Sequence, residues 1–426
     1  MPINRRNFIN LSAITASTGI LVATNACAGN TDIKEKTWRD NIQSLTADVK
    51  PITVEERLNR IAKAQKLMKE NNVVAVILDS GTTMNYFTSI RWGQSERPLL
   101  VVIPVGGNVS YICPAFEEDR FRERIKMEGK VYPWQEDESP YAKVLQALSD
   151  SNIKSGKIGI EERVRFFIYD GIKRLAPQFD FVSADPISAK CRMIKSPNEI
   201  ALMQKASDIT VEAIKVGISQ LKEGMSPGDV SSIIGEAHGL YGGSPDFGLV
   251  LFGEASALPH GTTKPQTLKK GDIVLMDCGC TVQGYCSDIT RTVVFGAPPT
   301  TRQLEVWNLE QKSQAAGFAM AQIGNPCELV DKASRKVITD AGFGPDYKLP
   351  GLPHRTGHGI GLDGHEWGNM VRGNKEILEP GMCFSIEPTI AIPGEFGVRM
   401  EDCVYMTEQG PKWFSPTAVA IDKPFG

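Results

Sequence analysis

The sequence lacks an excess of charge of either sign. It carries 47 Lys and Arg residues against 50 Asp and Glu residues, a formal net charge of −3 at pH 7. Proteins that bind nucleic acid or an anionic membrane surface usually concentrate positive charge, and this balance gives no case for either class. No RNA- or DNA-binding motif is present. We therefore predict no nucleic-acid partner.

Long apolar runs are also missing. Residues 9–23 are mildly apolar, but Asn, Ser and Thr interrupt them, and the stretch is too short to span a bilayer comfortably. It follows the pair Arg5-Arg6 and leads to the small residues Ala26-Cys27-Ala28, an order typical of a twin-arginine export signal. We expect residues 1–28 to direct export to the periplasm without a membrane span. The alternative is a disordered basic N-terminus.

The nine cysteines lack the spacing of a disulfide framework. A chain of 426 residues suits two or three domains and buries enough apolar surface to need no covalent cross-links. We therefore expect buried free thiols. Cys27 could carry a lipid anchor, but Thr24 suits the position three before such a cysteine poorly, so a soluble exported product is favoured.

Alternating helix and strand signals follow a polar segment, residues 29–52, that we expect to be a loose lead-in. Thr53, with Glu56 three residues later, predicts the start of a helix. Further helices are expected over 116–127, 139–149 and 163–175, and buried strands over 73–78, 99–105, 109–113, 158–160 and 179–182. This pattern predicts an α/β domain over residues 53–190.

A second domain is predicted over residues 191–426. Near its start, Ser196-Pro197 combines a serine cap with a proline that the first helical turn tolerates. Helices are expected over 197–221, 227–239, 301–322 and 327–341, and strands over 248–253, 272–281, 289–295, 382–392 and 398–406. The result is an α+β domain with long antiparallel hairpins.

Two aspartates share one face of the first predicted hairpin. A two-residue turn at Gln283-Gly284 places Thr290 opposite Asp277 and Asp288 opposite Gly279. Because side chains alternate along a strand, Asp277 and Asp288 are diagonal neighbours, roughly 7 Å apart at Cβ. Gly279 is expected to leave the space opposite Asp288 empty.

Two glutamates repeat this arrangement on the second predicted hairpin. Reflection about Gly394 places Glu387 opposite Glu401, and Arg399 shares the face of Glu401. Two like charges about 4 Å apart repel by roughly 4 kcal/mol at an effective dielectric constant of about 20. Four such carboxylates need neutralising, and two divalent cations would match their charge. Salt bridges to arginine, or a scattered surface location, are the alternatives.

Histidine is scarce, with five residues in the chain. His354, His358 and His365 fall in one glycine-rich segment, whose glycines let the backbone approach a cluster closely. His260 precedes the first hairpin, whereas His238 sits in a helical pattern and is predicted to be structural. Mixed carboxylate and imidazole ligands suit Mn²⁺, with Zn²⁺, Fe²⁺ or Co²⁺ as alternatives.

These motifs resemble the family of prolidases, aminopeptidases P, methionine aminopeptidases and creatinases. The resemblance rests on residues 287–292, 357–361 and 399–402 and on the order Asp, Asp, His, Glu, Glu of the family's metal ligands. It implies an α/β creatinase-type N-terminal domain over 53–190 and an α+β pita-bread catalytic domain over 191–426. The metal ligands that it implies are Asp277, Asp288, His358, Glu387 and Glu401.

The resemblance also implies a mechanism. Two divalent metal ions hold a bridging water and supply hydroxide that attacks an amide carbonyl. His365 donates to the developing oxyanion, Glu387 passes a proton to the leaving nitrogen, and Arg399 orients the carboxylate ligands. The implied catalytic residues are therefore His354, His365, Glu387 and Arg399, and the implied substrate-binding residues are His260, His354 and His365.

The activity that follows from the resemblance is hydrolysis of the Xaa-Pro bond in a proline-containing peptide. Proline has no amide N–H, so peptidases that bind that group fail on it. The sequence leaves open whether the enzyme is an Xaa-Pro dipeptidase or an aminopeptidase P, and whether it forms a homodimer or a homotetramer. A creatinase-like amidinohydrolase and a non-catalytic binding scaffold are the alternatives. Methionine aminopeptidase is disfavoured because it lacks this N-terminal domain.

Overall fold

The computed structural model describes residues 37–426. The expected export signal and the lipid anchor at Cys27 lie outside the described residues. A short 3₁₀ helix, Trp38–Asn41, lies at the start of the described residues. Residues Asn41–Gly426 belong to one compact unit. Within residues 37–426, no helix combines the length and the apolar character that crossing a membrane requires.

The predicted α/β pattern is present in the first half of this unit. Its helices are α1 Val54–Glu70, α2 Thr82–Thr88, α3 Glu118–Arg122, α4 Pro140–Asp150, α5 Phe166–Leu175 and α6 Asp185–Met193. Its strands are β1 Val73–Asp79, β2 Leu100–Pro104, β3 Val109–Pro114, β4 Gly129–Trp134, β5 Gly156–Ile160 and β6 Phe179–Ser183. These strands form one mixed sheet in the order β4-β3-β2-β1-β5-β6.

Alternation along β1 gives this sheet two buried faces. Val76 and Leu78 enter one hydrophobic cluster, and Ala75 and Ile77 enter the cluster on the opposite face. The helix before β1 begins with the predicted capping box, in which the side chains of Thr53 and Glu56 each accept from the other residue's backbone N–H. Both faces are covered, as an α/β domain requires.

The predicted helix over 116–127 is wrong in extent. The chain forms a short 3₁₀ helix, Ala115–Glu117, and then only the five residues of α3. The sequence analysis missed β4, which pairs in parallel with β3, and the short helices α2 and α6. These elements are fixed by their sheet and core neighbours rather than by a strong local pattern.

The end of the lead-in segment is packed rather than loose. Leu45, Val49 and Ile52 lie against a hydrophobic cluster that includes Leu202 and Cys403. The backbone of Leu45 also donates to the carbonyl oxygen of Tyr241 at 2.8 Å. Residues 29–52 are polar on average, so the sequence did not predict that the second domain covers these three apolar side chains.

The second half of the unit has the predicted α+β character. Its helices are α7 Pro197–Ser219, α8 Pro227–Leu240, α9 Thr301–Met320 and α10 Glu328–Asp340. Its strands are β7 Ser244–Phe252, β8 Ile273–Val282, β9 Tyr285–Cys286, β10 Ile289–Val294, β11 Gly357–Gly359, β12 Glu366–Met370, β13 Cys383–Ile386, β14 Thr389–Ile392, β15 Phe396–Arg399, β16 Asp402–Thr407 and β17 Gly410–Trp413.

These strands form three sheets. The first has the order β10-β8-β7 with β9 added to β8, the second has the order β12-β11-β13-β16-β17, and the third is the pair β14-β15. The eight described cysteines are buried and free, as expected. The predicted registers of both hairpins are confirmed. Asp277 is paired with Thr290 in the first hairpin, and Thr389 is paired with Arg399 in the second.

The second hairpin is not the continuous one that the sequence predicted. Each strand breaks in two at its glutamate, between β13 and β14 at Glu387 and between β15 and β16 at Glu401. The backbone of Glu387 donates to Thr356 at 2.7 Å, and the backbone of Glu401 exchanges two hydrogen bonds with Thr290. These neighbours replace the cross-strand partners at the two positions and tie the second hairpin to the first.

Candidate metal centre

One cavity of about 620 Å³ collects every site residue that the sequence predicted. Carboxylate, imidazole and guanidinium groups share its wall with an apolar side formed by Phe247, Leu249 and Pro259. The predicted residues in the wall are His260, Asp277, Asp288, His354, His358, His365, Glu387, Arg399 and Glu401. His238 lies elsewhere, buried on α8 with its Nε2 atom 3.1 Å from Thr210 Oγ1.

Three of these side chains form the centre of the cluster. Asp288, His358 and Glu401 each place a possible ligand atom within 4.8 Å of the other two. His358 Nε2 lies 3.6 Å from Asp288 Oδ2, 3.1 Å from Glu387 Oε1 and 3.9 Å from Glu401 Oε1. Three carboxylates therefore surround one imidazole nitrogen.

The orientation of the His358 ring suits a metal ligand. Its Nδ1 atom lies 3.1 Å from the carbonyl oxygen of Gly359, which can only accept a hydrogen bond, so Nδ1 carries the proton. In the neutral ring this leaves the lone pair of Nε2 facing the carboxylates. A cation between them would turn that unfavourable approach into coordination.

Two carboxylate oxygens in the cavity have no protein partner. Asp277 Oδ1 and Glu401 Oε1 are buried and accept no hydrogen bond from the described residues. An unpaired charged oxygen is costly to bury, and divalent cations are the partners that such groups commonly take. The donor set of carboxylates and one imidazole fits Mn²⁺ and the neighbouring divalent metals. The residues present therefore fit a metal centre.

Crowding of acids perturbs the titration of the cluster. Burial and the neighbouring carboxylates raise the pKa values of Asp288 and Glu401 well above their usual range. Burial also raises the pKa of Asp277, although Arg399 opposes it. Burial acts to raise the pKa of Glu387 as well, but the adjacent His358 outweighs it and lowers that pKa to about 2. Without added positive charge, the protein holds the three carboxylates with raised pKa values in their ionised form only at a cost.

Arg399 and Thr290 orient the carboxylates from behind. The Arg399 guanidinium pairs with Asp277 through Nη2 and donates from Nε to Thr290 Oγ1 at 3.1 Å. The Thr290 hydroxyl in turn donates to Glu401 Oε2 at 2.8 Å. Arg399 Nη1 also donates to the carbonyl oxygen of Pro259, next to His260. One guanidinium therefore fixes ligands on both hairpins.

A serine hydroxyl joins the imidazole ligand to the second hairpin. The backbone N–H of His358 donates to Ser385 Oγ at 3.0 Å, and that hydroxyl donates to Glu387 Oε1 at 3.1 Å. Gly357 permits this approach, because an added Cβ would lie 1.9 Å from the carbonyl oxygen of Ser385. The glycine-rich segment thus allows close contact between backbones, as expected.

The other two histidines of that segment are held in defined orientations. His354 Nε2 lies 2.9 Å from Thr389 Oγ1, and burial lowers the pKa of His354. Arg355 Nη2 donates to His365 Nδ1 at 3.2 Å, so the neutral His365 ring carries its proton on Nε2. Burial, with His358 and Arg355 nearby, lowers the pKa of His365 to about 4. His365 is therefore a neutral hydrogen-bond donor at pH 7.

The space beside Gly279 is filled, which corrects the prediction that it is empty. An added Cβ at Gly279 would lie 2.4 Å from Phe247 Cε1 and 2.4 Å from the carbonyl oxygen of Ser287. Phe247 on β7 is paired with Gly279 and contributes its ring to the cavity wall. The glycine makes room for an aromatic side chain rather than for solvent.

Sequence reasoning also missed Phe247, Arg355, Thr389 and Ser385 as parts of the site. Arg355, Ser385 and Thr389 stand two or three residues from predicted ligands, and this proximity was the available signal. Phe247 has no predicted ligand near it in the sequence. It reaches the cavity through the pairing of β7 with β8.

The fold and the site together define a metal-dependent hydrolase with a separate N-terminal domain. Residues 201–408 match the model of metallopeptidase family M24, and residues 60–194 match that of the creatinase/prolidase N-terminal domain. An uncharacterized peptidase of Schizosaccharomyces pombe is 37% identical over 374 residues, which cover 83% of this chain and 80% of the relative. The chain belongs to metallopeptidase family M24.

Solved structures show the same architecture. A dipeptidase from Pyrococcus horikoshii OT3 is 30% identical, with a TM-score of 0.75, over 83% of this chain and 97% of that one. A prolidase from Thermococcus sibiricus is 29% identical, with a TM-score of 0.76, over 86% of this chain and 97% of that one. The expected creatinase-type domain followed by a pita-bread catalytic domain is thereby confirmed.

Proposed function

We propose that the protein is a dinuclear metal-dependent exopeptidase that hydrolyses Xaa-Pro amide bonds, as an Xaa-Pro dipeptidase or an aminopeptidase P. The observation that carries this proposal is the convergence of four carboxylates and His358 in one cavity, with Asp277 Oδ1 and Glu401 Oε1 left without protein partners. The likeness to a solved prolidase supports the proline specificity.

Five residues would hold two divalent cations. Asp277 would serve one ion, His358 and Glu387 would serve the other, and Asp288 and Glu401 would serve both. Bound divalent cations of this kind acidify water and polarise a carbonyl oxygen. Manganese is the preferred metal for this donor set, with zinc, iron or cobalt as alternatives.

The surrounding side chains position the substrate and handle protons. His365 offers its Nε2–H to the oxygen of the scissile carbonyl, where negative charge develops. Glu387, held ionised beside His358, accepts a proton from water and delivers it to the proline nitrogen, which has no hydrogen of its own. His260 and His354 line the same cavity and would contact the substrate there. Arg399 acts through Asp277 and Thr290 by keeping the ligands in place.

Arg355 favours a substrate with a free carboxylate close to the scissile bond. Its half-buried side chain lines the cavity, and its guanidinium donates there to the neutral ring of His365. The other guanidinium in the wall, that of Arg399, is committed to Asp277. Phe247 and Leu249 supply an apolar surface that suits a pyrrolidine ring. These features favour the dipeptidase over the aminopeptidase.

Metal analysis combined with a peptide panel tests the proposal. The protein should carry close to two divalent ions per chain and should hydrolyse Gly-Pro, while Gly-Leu is cleaved far more slowly. A longer Xaa-Pro-Xaa peptide separates the two exopeptidase activities. Peptide hydrolysis that survives complete metal removal would overturn the proposal. Hydrolysis of creatine instead of the peptides would overturn it as well.

We also propose that the enzyme is exported in folded form through the twin-arginine signal and works as a homodimer or homotetramer. Export after folding would allow the metals to be loaded in the cytoplasm. Fractionation of cells that carry the tagged full-length chain tests this. Retention in the cytoplasm, or an unchanged location when Arg5 and Arg6 are both replaced by lysine, would contradict it.

A further inference from the structure

A second cavity, of about 660 Å³, lies at the far end of the first metal hairpin and shares no lining residue with the metal centre. Its wall is formed by α1, by α2 and the residues that follow it, by the turn Gln283-Gly284 and by the packed part of the lead-in segment. Its volume is typical of small-molecule binding sites. None of the residues that the catalytic proposal uses reaches it.

The wall of this cavity carries an excess of positive charge. Arg57, Arg60 and Arg91 all line it, and no Asp or Glu is among the described lining residues. One carboxylate reaches the cluster from behind, since Glu199 pairs with Arg60 at 3.1 Å. Two guanidinium charges therefore remain unbalanced.

The hydrogen bonds of the other two arginines do not neutralise them. Arg57 donates to the carbonyl oxygen of Tyr86 at 3.0 Å, and Arg91 donates to that of Gln283 at 3.3 Å. Neither forms an ion pair with a carboxylate in the part of the chain that the structure describes. Burial, with Arg60 and Arg91 nearby, lowers the pKa of Arg57 to about 10, so it stays charged at neutral pH.

Neutral polar groups complete the wall. The hydroxyl-bearing residues Thr46, Ser89, Ser244 and Thr281 line the cavity together with Asn85. Hydroxyl and amide groups can donate to an anion without adding charge. Guanidinium groups match the oxygens of phosphate in pairs, and a phosphate group carries roughly two negative charges at pH 7. A doubly charged group of this kind suits a wall in which two guanidinium groups have no carboxylate of the described residues within ion-pair distance.

We propose that this cavity binds a small molecule bearing a phosphate group, held by the guanidinium groups of Arg57 and Arg91. The site is placed to act on the metal hairpin. Arg91 lies against the turn, where an added Cβ at Gly284 would be 2.7 Å from its Nη2 atom. The adjoining Cys286 donates through its backbone to Gly361 at 2.8 Å, in the segment that leads to His365.

Calorimetric titration of the full chain tests this inference independently of peptidase activity. The probes are inorganic phosphate, adenosine monophosphate and succinate, at constant ionic strength. Saturable binding of one or both phosphate compounds is expected, and their relative affinities distinguish a free phosphate ion from a phosphorylated metabolite. Binding of succinate alone, or of none of the three, would overturn the proposal.

Two variants locate the binding. Arg91→Glu and Arg57→Gln should each weaken phosphate binding by about tenfold or more, because each removes a charge-assisted hydrogen bond. Arg122→Gln, which removes an exposed arginine paired with Glu118 on α3, is the matched control and should change nothing. Arg91 is exposed and holds only the turn, so its replacement leaves the fold intact even where Arg57→Gln does not.

Hydrogen exchange supplies the second readout. Phosphate should slow exchange in peptides that cover residues 281–286 and 85–91, and the Arg91→Glu variant should lose this protection. Phosphate bound only at the metal centre would protect residues near His358 and would be unaffected by either variant. That outcome would contradict the second site.

Discussion

Thr290 and Glu401 are joined by both backbone and side chain. Each backbone N–H donates to the other's carbonyl oxygen at 3.2 Å, and the Thr290 hydroxyl donates to Glu401 Oε2 at 2.8 Å. This pair connects the aspartate hairpin to the glutamate hairpin at the position of a predicted ligand. The geometry of the metal centre therefore depends on a residue that is not itself a ligand.

Thr290→Val should weaken metal binding by about 10- to 100-fold while preserving the fold, because valine keeps the shape and removes the hydroxyl. The measurement is metal affinity by competition with a chelator. Thr292→Val is the matched control, since Thr292 lies on the same strand but its hydroxyl bonds the backbone of Arg399 and no carboxylate ligand. Equal effects in the two variants would show that Thr290 acts through packing alone.

Asp288→Asn should abolish metal binding and turnover. It should also make the metal-free protein less sensitive to pH. The folded-state pKa of Asp288 lies above its unfolded value, so its contribution to stability is present at low pH and is lost as pH rises through the folded pKa. Urea unfolding of chelator-treated protein at pH 5 and pH 8 should show a larger drop for the wild type than for the variant. Normal turnover by the metal-free Asp288→Asn variant would contradict the proposed metal-dependent mechanism.

His365→Ala should lower kcat by about 10²- to 10³-fold with little change in KM, because the lost hydrogen bond matters most when charge develops on the carbonyl oxygen. Metal content should stay at the wild-type level. His365→Gln, which keeps an N–H donor, should recover part of the loss. A fall in metal content that matches the fall in kcat would assign His365 a structural role instead.

Arg355→Ala should raise KM for an Xaa-Pro dipeptide by about tenfold or more, because a charged hydrogen bond to the substrate carboxylate is lost. The same dipeptide with an amidated C-terminus provides the comparison, and its KM should be nearly unchanged by the substitution. Equal changes in KM for both substrates would show that Arg355 acts only through His365. The proposed preference for dipeptides would then be wrong.

The registers of both hairpins could be predicted because side chains alternate strictly along a strand and short turns fix which residues face each other. The break at Glu387 precedes Pro388, whose missing N–H was a signal in the sequence. The break at Glu401 could not be predicted, because it depends on pairing with Thr290, which lies far away in sequence. The same limit applies to Phe247, whose place in the site depends on the neighbouring strand.

Local patterns also failed where tertiary contacts outweighed composition. The lead-in segment, residues 29–52, is polar taken as a whole, yet Leu45, Val49 and Ile52 at its end are covered by the second domain. The strand β4 has little alternation of its own and is fixed by its ladder with β3. What could be predicted were the registers of the hairpins and the gathering of the predicted site residues in one cavity, because strand geometry acts over short distances.

The contact between Gly279 and Phe247 constrains how relatives can diverge. Any side chain at position 279 would collide with the aromatic ring and with the backbone carbonyl oxygen of Ser287, and a smaller residue at position 247 would relieve only the first contact. Relatives should therefore keep glycine at position 279 even where the phenylalanine changes. A smaller residue in place of the phenylalanine should let them accept bulkier groups on the substrate while the ligands stay the same.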